Sequence, residues 1–192
     1  AAASAFYFGM NADTNAPAGA TFPNSGAGFY SEQVFDADMT ISNATTNFTS
    51  RLGITTDTGA STTLHNAQTG GVPAALYTTD TNGKGRLVSG ADFGLSGSTI
   101  GGSNVGFFDF TTTDTINAGQ VAVQDNKPGN DLFYLNSGIT LFQQYDVIYN
   151  LRDGQIGFAP VPEPSTWALL AAAATLALVR HRARRASNAA RS

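Results

Sequence analysis

The chain has no cysteine, so neither a disulfide framework nor thiol chemistry is open to it. Two histidines, His65 and His181, leave too little for a zinc site, and neither a metal nor another cofactor is expected. Charge is sparse: Asp, Glu, Lys and Arg make up 12% of the 192 residues. Basic side chains are scarcest in the body. Only five of the ten Lys and Arg precede Arg180, against fourteen acidic residues, and no acidic residue follows Glu163. An acidic body repels phosphate backbones, which argues against nucleic acid as a partner. No long amphipathic helix pattern precedes Thr166. No apolar run reaches the roughly 20 residues of a typical membrane span. The opening Ala1-Ala2-Ala3-Ser4-Ala5-Phe6 has neither Met nor the basic start of a signal peptide. It is expected either to follow a removed signal peptide or to belong to the back part of a longer protein.

What is present points to β structure. Thirteen Phe and six Tyr supply enough apolar surface for one ordered domain of about 160 residues. Phe48, Leu52 and Ile54 share one parity of a strand running to Thr56. Tyr145, Val147, Tyr149 and Leu151 do the same. Gln155 to Phe158 is expected to return from there through an Asp153-Gly154 turn. Asn82-Gly83 marks a hairpin between Ala75–Thr78 and Arg86–Val88. Phe107–Phe110 and Gln120–Val123 read as further strands, with Gly94–Gly97 and Gly101–Asn104 as links. The expected class is all-β, with at most a short helix in the body.

The tail has a different composition. Val161-Pro162-Glu163-Pro164-Ser165 ends any preceding strand. Trp167 to Val179 is uncharged and rich in good helix formers, with Trp167, Leu169, Leu170, Leu176, Leu178 and Val179 as its large apolar residues. Arg180, Arg182, Arg184 and Arg185 follow at once, the pattern of a segment anchored with its positive end inside. These residues predict a helix from near Thr166 to about Arg182, with its apolar surface turned to lipid. The tail resembles the PEP-CTERM sorting signal of Gram-negative bacteria. That resemblance implies an exported precursor held in the inner membrane by its tail. An exosortase then cuts near Pro162-Glu163-Pro164 and frees the body to the cell surface or extracellular space.

One motif in the body carries chemistry: Asp57-Thr58-Gly59, directly after the Leu52–Thr56 strand. A carboxylate on a tight glycine turn, with a hydroxyl and backbone N–H groups beside it, is what an aspartic peptidase requires. The tripeptide also serves as an ordinary turn, and Thr-Thr-Asp-Thr occurs three times, ending at Thr58, Thr81 and Thr115. A second segment adds to it. Leu135-Asn136-Ser137-Gly138-Ile139-Thr140-Leu141-Phe142, then Tyr145 to Leu151, then Gln155-Ile156-Gly157-Phe158-Ala159-Pro160, resembles the C-terminal end of pepsin-like aspartic peptidases, with Gly138 at the psi-loop glycine. The resemblance implies a pepsin-like lobe over residues 34–160, with Asp57, Thr58 and Gly59 catalytic and Gly138 packed on their loop. Residues 1–33 would then be an N-terminal segment, the end of a missing upstream lobe, and residues 161–192 the sorting signal. Asn136 and Ser137 stand where that family has apolar residues, as do Thr55 and Thr56 before the aspartate.

This chemistry needs two carboxylates, one ionised and one protonated. The chain offers Asp57 alone, since Asp80 and Asp114 lack the following glycine and read as solvated turns. A missing N-terminal lobe or a homodimer partner must supply the second, and the substrate would be a peptide. Two functions stay open: an exported aspartic peptidase or its C-terminal half, and a non-catalytic β-rich surface or matrix protein with the same address. Other features read as structural. Asp80–Gly85 is a hairpin turn rather than a calcium loop, because Lys84 occupies a ligand position. Asn43 and Asn47 open glycosylation-like triplets in exposed turns, Tyr77 is a strand tyrosine in preference to a flap, and His65 is expected on a surface loop.

Overall fold

In a computed structural model of the chain, the described residues are 5–13, 29–67, 71–79, 84–116, 118–125, 133–161 and 175. Two compact units separate at the Pro160–Val161 junction. The expected tail helix, with Trp167, Leu169, Leu170, Leu176, Leu178 and Val179, lies outside the described residues. So do Pro162, Glu163, Pro164 and the basic Arg180, Arg182, Arg184 and Arg185. Within that span Thr175 is described and is helical. Among the described residues no helix is long and apolar enough to cross a membrane.

The body is all-β. Its strands begin with β1 (Phe6–Gly9), β2 (Phe35–Ser42), β3 (Asn47–Thr55) and β4 (Thr63–Asn66). They continue with β5 (Tyr77–Thr79), β6 (Gly85–Leu87), β7 (Asp92–Ser98), β8 (Asn104–Thr111), β9 (Ala122–Asp125) and β10 (Phe133–Asn136). A short helix, α1 (Gly138–Gln144), leads into β11 (Tyr145–Asn150) and β12 (Gln155–Pro160). Nine strands form one sheet in the order β5-β6-β9-β4-β10-β3-β2-β7-β8, and three form a second in the order β1-β12-β11.

Strand β2 shows why the sheet has an inside. Phe35, Ala37, Met39 and Ile41 are buried while Asp36, Asp38 and Thr40 alternate outward, the period-2 pattern of a half-buried strand. On the outer face Arg51 pairs with Asp36 at 3.4 Å and Asp38 at 3.8 Å. Such exposed ion pairs add little stability. Between the two sheets lies an aromatic wedge. Phe8 stacks on Phe35 with ring centroids 5.1 Å apart and planes 7° from parallel. Phe158 meets Phe6, Phe35 and Phe107 at 5.7, 5.5 and 5.7 Å. Phe6 and Phe8 belong to β1, so residues 1–33 contribute a strand and core side chains to the same compact unit.

Two expectations are corrected. Gly94–Gly97 is no link but the middle of β7, paired on both sides with β2 and β8. Its glycines are spacers: a Cβ on Gly94 would collide with the Asp109 carboxylate, and one on Gly97 would press on the Phe8 ring. The Asp109 side chain reaches Gly94 because β8 bulges there, with Phe108 at φ 55°. His65 is not on a loop; it lies in β4 and stacks on Tyr134 of β10 with ring centroids 3.8 Å apart. Burial lowers its pKa. The predicted β5–β6 pairing is present, while its Asp80–Gly83 turn lies outside the described residues. The Asp153-Gly154 turn joins β11 to β12 in register, with Gly154 at φ 63°, and Asn43 caps the β2–β3 turn through Thr45 and Thr46.

Truncating the wedge should test its weight. Phe158 is fully buried, so Phe158→Ala is expected to cost about 3–5 kcal/mol of unfolding free energy, read from the midpoint shift in urea.

Candidate functional site

The site grows from one topological fact. β3 and β4 follow each other in sequence, yet they do not pair. β10 lies between them, parallel to β3 and antiparallel to β4. The loop from β3 to β4, residues 56–62, must therefore arch over the C-terminal end of β10, and the chain leaving β10 must turn beneath that arch. Both are glycine turns of the same kind. In Asp57-Thr58-Gly59 the Gly59 N–H donates to Asp57 Oδ1 at 2.8 Å. In Asn136-Ser137-Gly138 the Gly138 N–H donates to Asn136 Oδ1 at 3.0 Å. An Asp or Asn side chain that bonds its own backbone two residues on makes the local turn without outside help.

The two turns face each other and are bonded together. Asn136 Nδ2 donates to Asp57 Oδ2 at 3.2 Å. Ile139 N–H donates to the Ala60 carbonyl at 3.0 Å, and Ser137 N–H to the Thr55 carbonyl at 2.9 Å. Thr62, buried beneath them, donates its hydroxyl to the Ser137 carbonyl at 2.9 Å and lies 3.1 Å from Thr140 Oγ1. Gly138 is at φ 59°, a conformation that costs a side-chain-bearing residue of order 1–3 kcal/mol. A Cβ there would sit 2.6 Å from the backbone of Ala60, Ser61 and Thr62. Only glycine lets the two turns come this close. The structure thus brings together Asp57, Thr58, Gly59 and Gly138, four residues singled out in the sequence.

The electrostatics follow from the bonds. The Gly59 N–H, and after it the Asn136 amide, hold the Asp57 carboxyl below the ordinary carboxylate range. Asp57 is half-buried at the surface, open to solvent on its remaining side, and is ionised near neutral pH. Among the described residues no carboxylate is hydrogen-bonded to it, and no group of His, Asp or Glu is placed to hold a metal ion. Asp114 forms an ion pair with Arg86 at 3.4 Å instead, and Asp80 lies outside the described residues. A cleft of about 530 Å³ opens next to the arch, between Ser61 and the β5–β6 hairpin, with Tyr77 in its wall. A second hollow of about 570 Å³, lined by Phe6, Tyr7, Ile100 and Gln155, has no acidic, basic or imidazole group in its wall.

Two members of the site were not assigned from sequence. Asn136 stands at a position where an apolar residue is expected, but its Asn-x-Gly spacing matches Asp-x-Gly at Asp57 and signals the same turn. Tyr149 of β11 shares a strand parity with Tyr145 and Val147. It is largely exposed, and its hydroxyl is hydrogen-bonded to the Thr56 hydroxyl beside Asp57.

Residues 160–185 match the family model described as the PEP-CTERM protein-sorting motif. No curated protein and no solved structure matches the chain. The chain therefore carries the address of a secreted protein, processed by an exosortase at the membrane and destined for the cell surface or extracellular space.

The Asn136 contribution is separable. In Asn136→Ala the Asp57 pKa is expected to rise but stay below the ordinary range, because the Gly59 bond remains. An NMR titration of the Asp57 side-chain carboxyl measures it; an unchanged pKa would show that the amide bond does not form in solution.

Proposed function

We propose that the exported body is a pepsin-like aspartic peptidase lobe and that Asp57 is the ionised carboxylate of its catalytic pair. The observation that carries this reading is the locked pair of turns. A strand threaded between β3 and β4 delivers Gly138 against the backbone of the Asp57 loop, the arrangement expected of a psi loop beneath an Asp-Thr-Gly loop. The depressed pKa of Asp57 keeps it ionised at the acidic pH at which a partner carboxyl would be protonated. The adjacent cleft, with Ser61 and Tyr77 in its wall, suits an extended peptide.

In this chemistry Asp57 takes a proton from a water whose oxygen bonds to the scissile carbonyl carbon. A second carboxyl, protonated, hydrogen-bonds to the carbonyl oxygen as negative charge develops there. Collapse of the tetrahedral intermediate breaks the C–N bond, and the proton goes to the departing amine. One chain supplies one of the two carboxyls, so the monomer is expected to be inactive. An assembly that brings a second carboxyl to Asp57 is expected to hydrolyse peptides with an acidic optimum, since one group must be protonated while the other is ionised. Loss of a catalytic base costs roughly 10²–10⁴-fold in rate, so Asp57→Asn should reduce hydrolysis of a quenched peptide library by that much without unfolding the protein. Hydrolysis that persists in Asp57→Asn removes Asp57 from the mechanism.

A second reading, a β-rich surface or matrix module without catalysis, is favoured by Asn136. Its amide occupies the Asp57 oxygen that is not bonded to Gly59, and so competes with a partner carboxyl for it.

The sorting step has its own test, independent of either reading. Mass spectrometry of the mature protein from its native host should show a C-terminus near Pro162-Glu163-Pro164. Secreted protein that keeps Arg180 to Ser192 would contradict processing at the motif.

A further inference from the structure

We infer that the last two residues of β12, Ala159 and Pro160, are a release segment for the processing enzyme. They peel from β11 so that the enzyme takes the chain in extended form, and Phe158 is where the peeling stops. The inference concerns the sorting step and is the same for either reading of the body.

The match to the sorting motif begins at residue 160, and Pro160 is also the last residue of β12. Motif and folded strand therefore overlap. Only Val161 separates β12 from Pro162-Glu163-Pro164, near which the cut is expected. A protein that binds an extended peptide holds several successive residues through their backbone groups. The three residues before Pro162 span about 10 Å of extended chain. They are Ala159, Pro160 and Val161, and the first two are tied into a sheet.

The strand can release those two and no more. β1 pairs with Gln155 to Phe158 and stops there. β11 alone continues beside Ala159 and Pro160, with Asp146 and Tyr145 opposite them. Pro160 has no N–H to give to that ladder. Ala159 and Pro160 are half-buried, and neither belongs to the hydrophobic core. Phe158 differs in each respect. It is paired on both sides and fully buried. Its ring meets Phe6, Phe35, Phe107 and Tyr145. Freeing the strand end gives up a short stretch of one-sided ladder, whereas freeing Phe158 breaks the aromatic wedge.

The test follows conversion of precursor to mature chain by pulse-chase in the native host. Inserting Gly-Ser-Gly-Ser between Pro160 and Val161 supplies extended chain without any peeling. It should speed conversion about fivefold, the statistical weight of one typical net hydrogen bond. Asp146→Cys combined with Ala159→Cys sets two thiols directly opposite each other across the strand end. The chain has no other cysteine, and exported proteins meet an oxidising environment in which disulfides form. The resulting staple should stop conversion, and dithiothreitol should restore it. The same insertion should also restore it with the disulfide intact, which separates a locked strand end from a misfolded body. Conversion of the stapled chain at the wild-type rate overturns the inference. So does an insertion that leaves the unstapled rate unchanged, the result expected if the enzyme acts before the body folds. A stapled chain that the insertion does not rescue overturns it as well, because the block then lies elsewhere than in the strand end.

Discussion

The threading of β10 between β3 and β4 is the constraint on which the centre of this molecule depends. Two strands that could have closed a hairpin are held apart by a third from some eighty residues later in the chain. The inserted strand satisfies the backbone of both neighbours, and backbone groups left unpaired at such a depth are costly. Once it is in place, the β3–β4 loop has to arch and the chain beyond β10 has to duck beneath it. The bonds from Ser137 to Thr55, Ile139 to Ala60 and Thr62 to Ser137 then leave the Asp57 carboxylate little freedom except toward solvent. The hydrogen bonding of Asp57 is a consequence of that strand order.

The aromatic wedge serves the same end from the other side. Phe8, Phe35, Phe107 and Phe158 join the small sheet to the large one, and the small sheet carries β11. Through β11 the wedge fixes Tyr149 against Thr56. The core thus connects the outer edge of one sheet to the loop of the other, and gives a surface strand a rigid relation to the site. Apolar burial is non-directional; here the parallel stacking of rings supplies orientation as well.

Address and body obey different physics. The sorting motif works as a composition read along the chain: prolines, an uncharged apolar run and a basic end. Its match over residues 160–185 rests on the sequence of that stretch alone. The body has no such independence. Asp-Thr-Gly and Asn-Ser-Gly are ordinary turns until they face one another.

Local order in the sequence was enough for the elements that are themselves local. The β11–β12 hairpin could be read because Asp153-Gly154 and the flanking alternation lie within a few residues of each other. The tail could be read for the same reason. The alternation Phe35, Ala37, Met39, Ile41 makes β2 equally legible. Glycine misled at Gly94–Gly97, because its weak strand preference reflects backbone freedom and says nothing of the Asp109 and Phe8 side chains that claim the vacant space. β10 was beyond reach for a different reason: the Asn136-x-Gly138 spacing marks only where it ends, four residues become a central strand only through pairing with β3 and β4, and sequence periodicity does not encode a partner so distant. The residue types for the site were therefore set along the chain, while their meeting was set by strand order. Asp57, Gly59, Asn136 and Gly138 supply turns wherever they stand; the fold places them at hydrogen-bond distance, because only a non-local sheet register can oppose two turns so far apart in sequence.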